Sequence, residues 1–281
     1  MAVDRARLLA SNGQYGRLPN AVWTERLAAL GFVRLDLVPQ TPHLWCGHTG
    51  CLPWDDLKAL LDRHGLIPAA LTPPPYRYAI TAPPGAQRSA TLNYYGSCIA
   101  LAAAMGCGRV VISPAGACWD LPRRELERNA AEMLALLVRE AERAEVTLLL
   151  VPAVGGDAPL IAEAPVLNRA EELARMLREV DSPALGVCLD TNIMAINGGS
   201  LARWFDLLGE RTGLVRLCDG CYHGWRAWGD GCLPVDRWLR QLEQIGYGGD
   251  FSLHLPGERY VESPDDPHRA ALAGLAGEVR V

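Results

Sequence analysis

Phenylalanine is scarce in this chain: three residues against eight Trp and eight Tyr in a total of 281. Phe is the aromatic that goes to cores, whereas Trp and Tyr keep a polar handle and suit half-wet surfaces and binding sites. Long apolar runs are missing too. No stretch of about 18 apolar residues occurs, the charge-free segment 89–108 being broken by Ser, Thr, Asn and Gly, so no membrane-spanning helix is expected. The opening MAVDRARLLASNGQYG lacks the apolar segment of a secretory leader, so a cytoplasmic protein is expected. Basic residues are scattered and the net charge is −5, so no nucleic-acid partner is expected. Neither a G-x-G-x-x-G after the first strand nor a P-loop is found, which counts against nucleotide-binding folds. No linker divides the chain, and 1–281 reads as one domain.

Cysteine, in contrast, is abundant. There are nine, an odd number, most of them inside apolar segments such as LGVCLD and GSCIALAAAMGCG. Free buried thiols in a reducing compartment are the expectation. Two clusters have metal-like spacing: Cys46, His48 and Cys51, and Cys218, Cys221 and His223 with Cys232 beyond. Neither has the second paired set that a structural zinc site needs.

Short apolar runs recur at about 5–11, 32–38, 66–72, 109–114, 146–152, 184–190, 214–220 and 250–256. Each is bounded by Gly, Pro or Asp and reads as a strand. Amphipathic segments lie between them, such as LPWDDLKALLDRHG, ending at Gly65, and VDRWLRQLEQIG, ending at Gly246. Glycine closure of this kind marks helix ends. Eight strand–helix units in about 280 residues predict an α/β fold, a closed (β/α)8 TIM barrel.

In such barrels the site lies at the C-terminal ends of the strands and in the loops that follow. Trp45, Tyr76, Tyr78, Trp119, Tyr222, Trp225, Trp228 and Tyr260 fall in those loops, half of all Trp and Tyr. They either line a cleft for a sugar-like ligand or pack the long loops onto the barrel.

Four blocks carry a resemblance over almost the whole chain: GFVRLDLVPQTPHLW, RSATLNYYGSCIALAAAMGCGRVVISP, SPALGVCLDTN and LVRLCDG followed by WGDGCLPVDRWLRQLEQIGYGGDFSL. The sequence resembles the xylose-isomerase-like TIM barrels, within them the sugar-phosphate isomerase/epimerase group that includes fructoselysine 3-epimerase and the ketose 3-epimerases. The resemblance implies a divalent metal held by Glu on strand 5, Asp on strand 6, His on strand 7 and Glu on strand 8. The two Glu would flank a carbon next to a carbonyl and move its proton.

At those four positions this chain has Val151, Asp190, Arg216 and His254. Two carboxylates are gone and a permanent cation has arrived, so the metal is expected to be lost and no cofactor is expected. Arg216 then pairs with Asp190 or holds a ligand oxygen, and His254 serves as acid/base near neutral pH, oriented by Asp190. Alternatively the three residues plug a retired site. His43, Trp45, Asp36, Trp119, Trp225, Arg226 and Trp228 are the candidate substrate contacts. Asp36 could equally be a strand-end salt bridge, and Arg88 either reaches the mouth or is a solvated helix residue. A soft-metal site from Cys218, His254 and Asp190 is a further alternative to free core cysteine. The expected partner is a small sugar- or polyol-like molecule, the protein acting as an isomerase or epimerase or as a catalytically inactive barrel. A homo-oligomer or a complex with an active homologue is compatible with either.

Overall fold

A computed structural model of the protein describes residues 4–75, 78–157, 162–221, 224–256 and 259–275. Eight parallel strands close into a ring: β1 (Leu8–Ser11), β2 (Arg34–Leu37), β3 (Ile67–Leu71), β4 (Arg109–Ile112), β5 (Thr147–Leu150), β6 (Leu185–Asp190), β7 (Thr212–Arg216) and β8 (Asp250–Ser252). Each strand pairs with its sequence neighbours, and β8 returns to β1. The principal helices are α1 (Asn20–Ala29), α2 (Asp55–His64), α3 (Ala86–Ala104), α4 (Arg123–Arg143), α5 (Ala170–Val180), α6 (Leu201–Leu208), α7 (Val235–Ile245) and α8 (Asp266–Leu275). A short extra helix, Thr191–Ile196, follows β6 directly.

The strand residues alternate between two cores, as the period of two requires. Leu9, Ala70, Val111, Leu149, Cys188 and Leu214 are buried together in the barrel interior. Leu8, Leu35, Leu71, Val110, Leu148, Val187 and Val215 join the larger core beneath the helices. On α4, Leu126, Met133, Leu134 and Leu137 are buried, one stripe of an amphipathic helix whose charged face is outside. Each such Leu contributes about 1.5–3 kcal/mol on burial. Helices α2 and α7 end where expected, because Gly65 (φ 65°) and Gly246 (φ 78°) take the left-handed conformation that closes a helix.

At the N-terminal end of the ring, Asp250 of β8 receives two bonds from Arg34 of β2, at 2.5 and 2.8 Å, and a third from Arg109 of β4. This ties three strands that are distant in sequence.

The cysteine expectation needs one correction. Cys46 and Cys51 are joined as a disulfide across a two-residue-per-strand hairpin. The hairpin sets the two positions opposite each other, which sequence spacing did not reveal. Cys98, Cys107, Cys118, Cys188, Cys218, Cys221 and Cys232 are free.

Candidate functional site

The site is the next layer up from the interior core. Two residues beyond Leu9, Ala70, Val111, Leu149, Cys188 and Leu214 come Ser11, Thr72, Ser113, Val151, Asp190 and Arg216. The step of two keeps them facing inward. Register confirms the level: Ser11 lies opposite Asp36, Asp190 opposite Arg216, and Arg216 opposite Ser252. Above this layer is a cavity of about 240 Å³, lined among others by Thr72, Val151, Glu163, Asp190, Arg216, Trp225 and His254.

Arg216 is 4% exposed. Its Nη2 donates to Thr72 Oγ1 at 2.7 Å, and its Nε lies 4.0 Å from Asp36 Oδ2. Burial opposes its charge, but Cys188, Asp36 and Asp190 favour it, and the guanidinium is held more firmly protonated than usual. The expected direct pair with Asp190 is replaced by the one with Asp36. Asp190 is engaged elsewhere: Oδ1 accepts the Ile193 N–H at 3.0 Å, capping the short helix, and Oδ2 accepts the Trp225 indole N–H at 3.2 Å. Burial pushes the Asp190 carboxyl up, against the pull of Arg216 and these donors.

Asp36 is a foundation rather than a substrate contact. It is fully buried, and its oxygens accept from Thr72 Oγ1 at 2.6 Å and Ser252 Oγ at 2.5 Å. Nothing of it is left to face a ligand.

His254 does line the cavity, but Ser11 orients it instead of Asp190: Nδ1 is 3.3 Å from Ser11 Oγ. Burial and the nearby Arg216 push its imidazole down to about 3. The ring is then neutral at physiological pH, a hydrogen-bonding group and a weak base rather than an imidazolium acid.

Other expected contacts also lie away from the cavity. His43 is buried and spent on the fold: Nε2 approaches the Leu18 and Tyr15 carbonyls at 2.9 and 3.1 Å, and Nδ1 the Asn12 amide at 2.9 Å. Trp45 lies over Gly47, where a Cβ would come within 2.4 Å of its ring. Arg226 Nε donates to Cys221 Sγ at 3.2 Å. Trp228 is 8% exposed and donates to Asp236 at 2.8 Å. Trp119, 54% exposed, lines a different cavity of about 650 Å³ with Arg123, Gly155 and Asn197. Arg88 bridges to Glu132 of α4 at 3.2 Å. Tyr78 stacks on Tyr94 at 4.1 Å and bonds His48. Of the loop aromatics, Trp225 alone among the described residues is placed in the lining of the central cavity. Tyr76, Tyr222 and His223 lie outside the described residues.

Of the Cys-x2-Cys-x-His cluster, the described cysteines are engaged apart from one another. The Cys218 thiol turns to the His254 carbonyl at 3.2 Å, and Cys232 turns to the Gly220 carbonyl. Among the described residues no three His, Cys, Asp or Glu side chains converge on a metal-sized point. A divalent metal needs several oxygen or nitrogen ligands. Of the two carboxylates on the cavity lining, Asp190 has both oxygens engaged and stands beside the Arg216 guanidinium, so the donor set at the strand ends does not fit such an ion.

One group was not foreseen. Glu163, in the loop between β5 and α5, reaches the cavity. Its backbone N–H donates to Val154 O at 2.9 Å, its Oε2 accepts the Val154 N–H at 3.0 Å, and its carbonyl accepts the Gly116 N–H at 3.1 Å. Burial raises its carboxyl, Val154 lowers it, and the Asp190 charge raises it further. Twelve residues separate it from Val151, in a stretch without period, so no sequence signal placed it there.

The sequence profile of the xylose isomerase-like TIM barrels matches residues 25–276. The chain belongs to that family. Several solved structures share its fold at low identity. The 3-keto-D-glucoside 4-epimerase YcjR from E. coli superposes with a TM-score of 0.78 at 18% identity, covering 96% of this chain and 99% of that one. D-Psicose 3-epimerase from Clostridium cellulolyticum H10 gives 0.76 at 16%, covering 96% and 98%. The IOLI protein with a bound zinc atom gives 0.78 at 14%, covering 97% and 98%. No curated protein sequence matches the chain significantly. No helix among the described residues is long and apolar enough to cross a membrane.

Proposed function

We propose that this family member binds a sugar- or polyol-like molecule in the central cavity and acts on it, as an isomerase or epimerase, without a divalent metal. The observation that carries this is Arg216: a buried guanidinium, fixed by Thr72 and Asp36, beside a cavity of about 240 Å³. A fixed cation with N–H donors stabilises a developing oxyanion, the task a metal has in metal-dependent isomerases. Trp225, held by Asp190, offers a planar apolar face to the ligand, and neutral His254 a hydrogen bond. The likeness to sugar epimerases supports the substrate class by analogy.

Calorimetric titration with a panel of free sugars and polyols, on protein treated with EDTA, tests this reading. Binding that survives chelation and falls at least tenfold in Arg216→Gln is expected. Stoichiometric Mn, Mg, Co or Zn in the purified protein, with binding lost on chelation, would sink it.

A second reading is a catalytically inactive barrel that serves as a ligand-binding or partner subunit. It is favoured by the Arg216, Thr72, Asp36 and Ser252 network, in which these side chains engage one another, although Arg216 Nε has no hydrogen-bond partner among the described residues. Co-purification with another barrel, with no proton exchange on any sugar, is the outcome that selects it.

A further inference from the structure

The geometry points to Glu163 as the group that carries the proton in this cavity, and to an uncharged α-hydroxy carbonyl sugar as its substrate. This rests on the reading that the cavity takes a sugar-like carbonyl compound.

The strand end where the resemblance places a carboxylate is aliphatic, Val151. The loop that follows folds back and delivers another. Three hydrogen bonds, two to Val154 and one from Gly116, fix the Glu163 backbone and one carboxyl oxygen. Oε1 has no hydrogen-bond partner among the described residues, and the side chain lines the cavity. A carboxylate fixed by one oxygen and free at the other is arranged to take a proton from a bound molecule. The other candidates are poorer. Asp190 uses both oxygens on Ile193 and Trp225. Asp36 is sealed beneath Arg216. His254 is neutral and a weak base.

The step balances with no co-reactant. Glu163 Oε1 accepts the proton from the carbon next to the carbonyl. The C–H electron pair forms the C=C bond of an enediolate, and the carbonyl π pair moves onto oxygen, facing Arg216. Return of the proton from Glu163 to the same carbon restores the carbonyl; return to the neighbouring carbon does so once the hydroxyl proton has passed from its oxygen to the other, and either leaves the enzyme unchanged.

Charge decides the substrate class. Arg216, the one cation on the cavity lining, already faces Asp36, and Asp190 and Glu163 are further acids on that lining. A phosphate or carboxylate entering this cavity would add an anion where acids already outnumber bases. Hydroxyl and carbonyl groups face no such repulsion.

The test is deuterium incorporation next to the carbonyl, followed by NMR in D2O. Full-length protein treated with EDTA is given free ketoses and aldoses and their phosphorylated counterparts, with binding measured in parallel by calorimetry. The expectation is exchange into one or more free sugars. In Glu163→Gln it drops at least 100-fold while binding changes less than threefold, and Glu163→Asp recovers part of it. The wild-type rate is expected to rise with pH through a value above the ordinary carboxylate range. Exchange in Glu163→Gln within threefold of wild type overturns the role of Glu163. Binding without any exchange in the wild type also overturns it and leaves the binding reading standing. Neither binding nor exchange overturns both. Faster exchange into phosphorylated sugars overturns the charge selection.

Discussion

At the scale of single residues, the central fact is a cation under the mouth of the barrel whose carboxylate partner is itself buried. Taking away one member of such a pair leaves an uncompensated charge, which costs about 3–5 kcal/mol. Arg216→Met is therefore expected to lower stability by about 3 kcal/mol, because Asp36 lies sealed below it. Replacing both, as Asp36→Asn with Arg216→Met, is expected to recover more than half of that loss in chemical unfolding at pH 7. Equal losses in the single and double variants would mean that the two are not coupled. Arg216 was legible because it is a charged residue at an inward position of a strand. The role of Asp36 was not, since only the closed ring shows that Thr72 and Ser252 use up its oxygens.

At the scale of elements, the loop after β7 is organised by one side chain. Asp219 accepts four backbone N–H groups: Gly220 at 2.7 Å, Leu233 at 2.9 Å, Gly229 at 3.1 Å and Gly231 at 3.2 Å. Losing a hub of this kind leaves several donors without a partner, at about 1–3 kcal/mol for each that stays buried. Asp219→Ala is expected to cost about 2–4 kcal/mol and to speed amide exchange at Gly229, Gly231 and Leu233 selectively. Unchanged exchange there would show that the loop holds its shape by other means. The helix ends at Gly65 and Gly246 were legible in the sequence. The convergence of four donors on Asp219 was not, because their positions run from 220 to 233, through a short hairpin and a loop without period.

At the scale of the whole molecule, the last helix is fastened to the first strand. His268 on α8 is fully buried, and its Nε2 accepts the backbone N–H of Ser11 at 3.1 Å. Burial pushes its imidazole down to about 4 from an ordinary 6.5. The unfolded chain then binds a proton between pH 6.5 and 4 that the folded chain refuses. This contribution to stability is complete above pH 6.5 and is lost as pH falls towards 4, by roughly 3 kcal/mol in total. His268→Gln keeps an acceptor and removes the titration. Its stability is expected to fall less steeply than that of wild type over this window in urea unfolding at a series of pH values, and parallel slopes would refute the assignment. Asp250 acts at the other end of the ring. Burial there works against ionisation, but Arg34 and Arg109 more than offset it and hold the carboxyl below its usual range. Its share of stability is present above the ordinary Asp range and is lost as pH falls through the lowered value. Asp250→Asn is expected to flatten acid unfolding in that region.

Local pattern in the sequence determined the eight strand–helix units, their closure at glycines and the family. These depend on periodicity and on residue type at an inward position, both of which are local. Only the tertiary structure decided which groups share the cavity. It set Asp36 beneath Arg216, gave His254 to Ser11, joined Cys46 to Cys51, turned His43 into a fold contact, and brought Glu163 into the cavity lining. Each of these is a meeting of segments distant in sequence or the return of an irregular loop, fixed by ring closure and by backbone hydrogen bonds that leave no periodic trace along the chain.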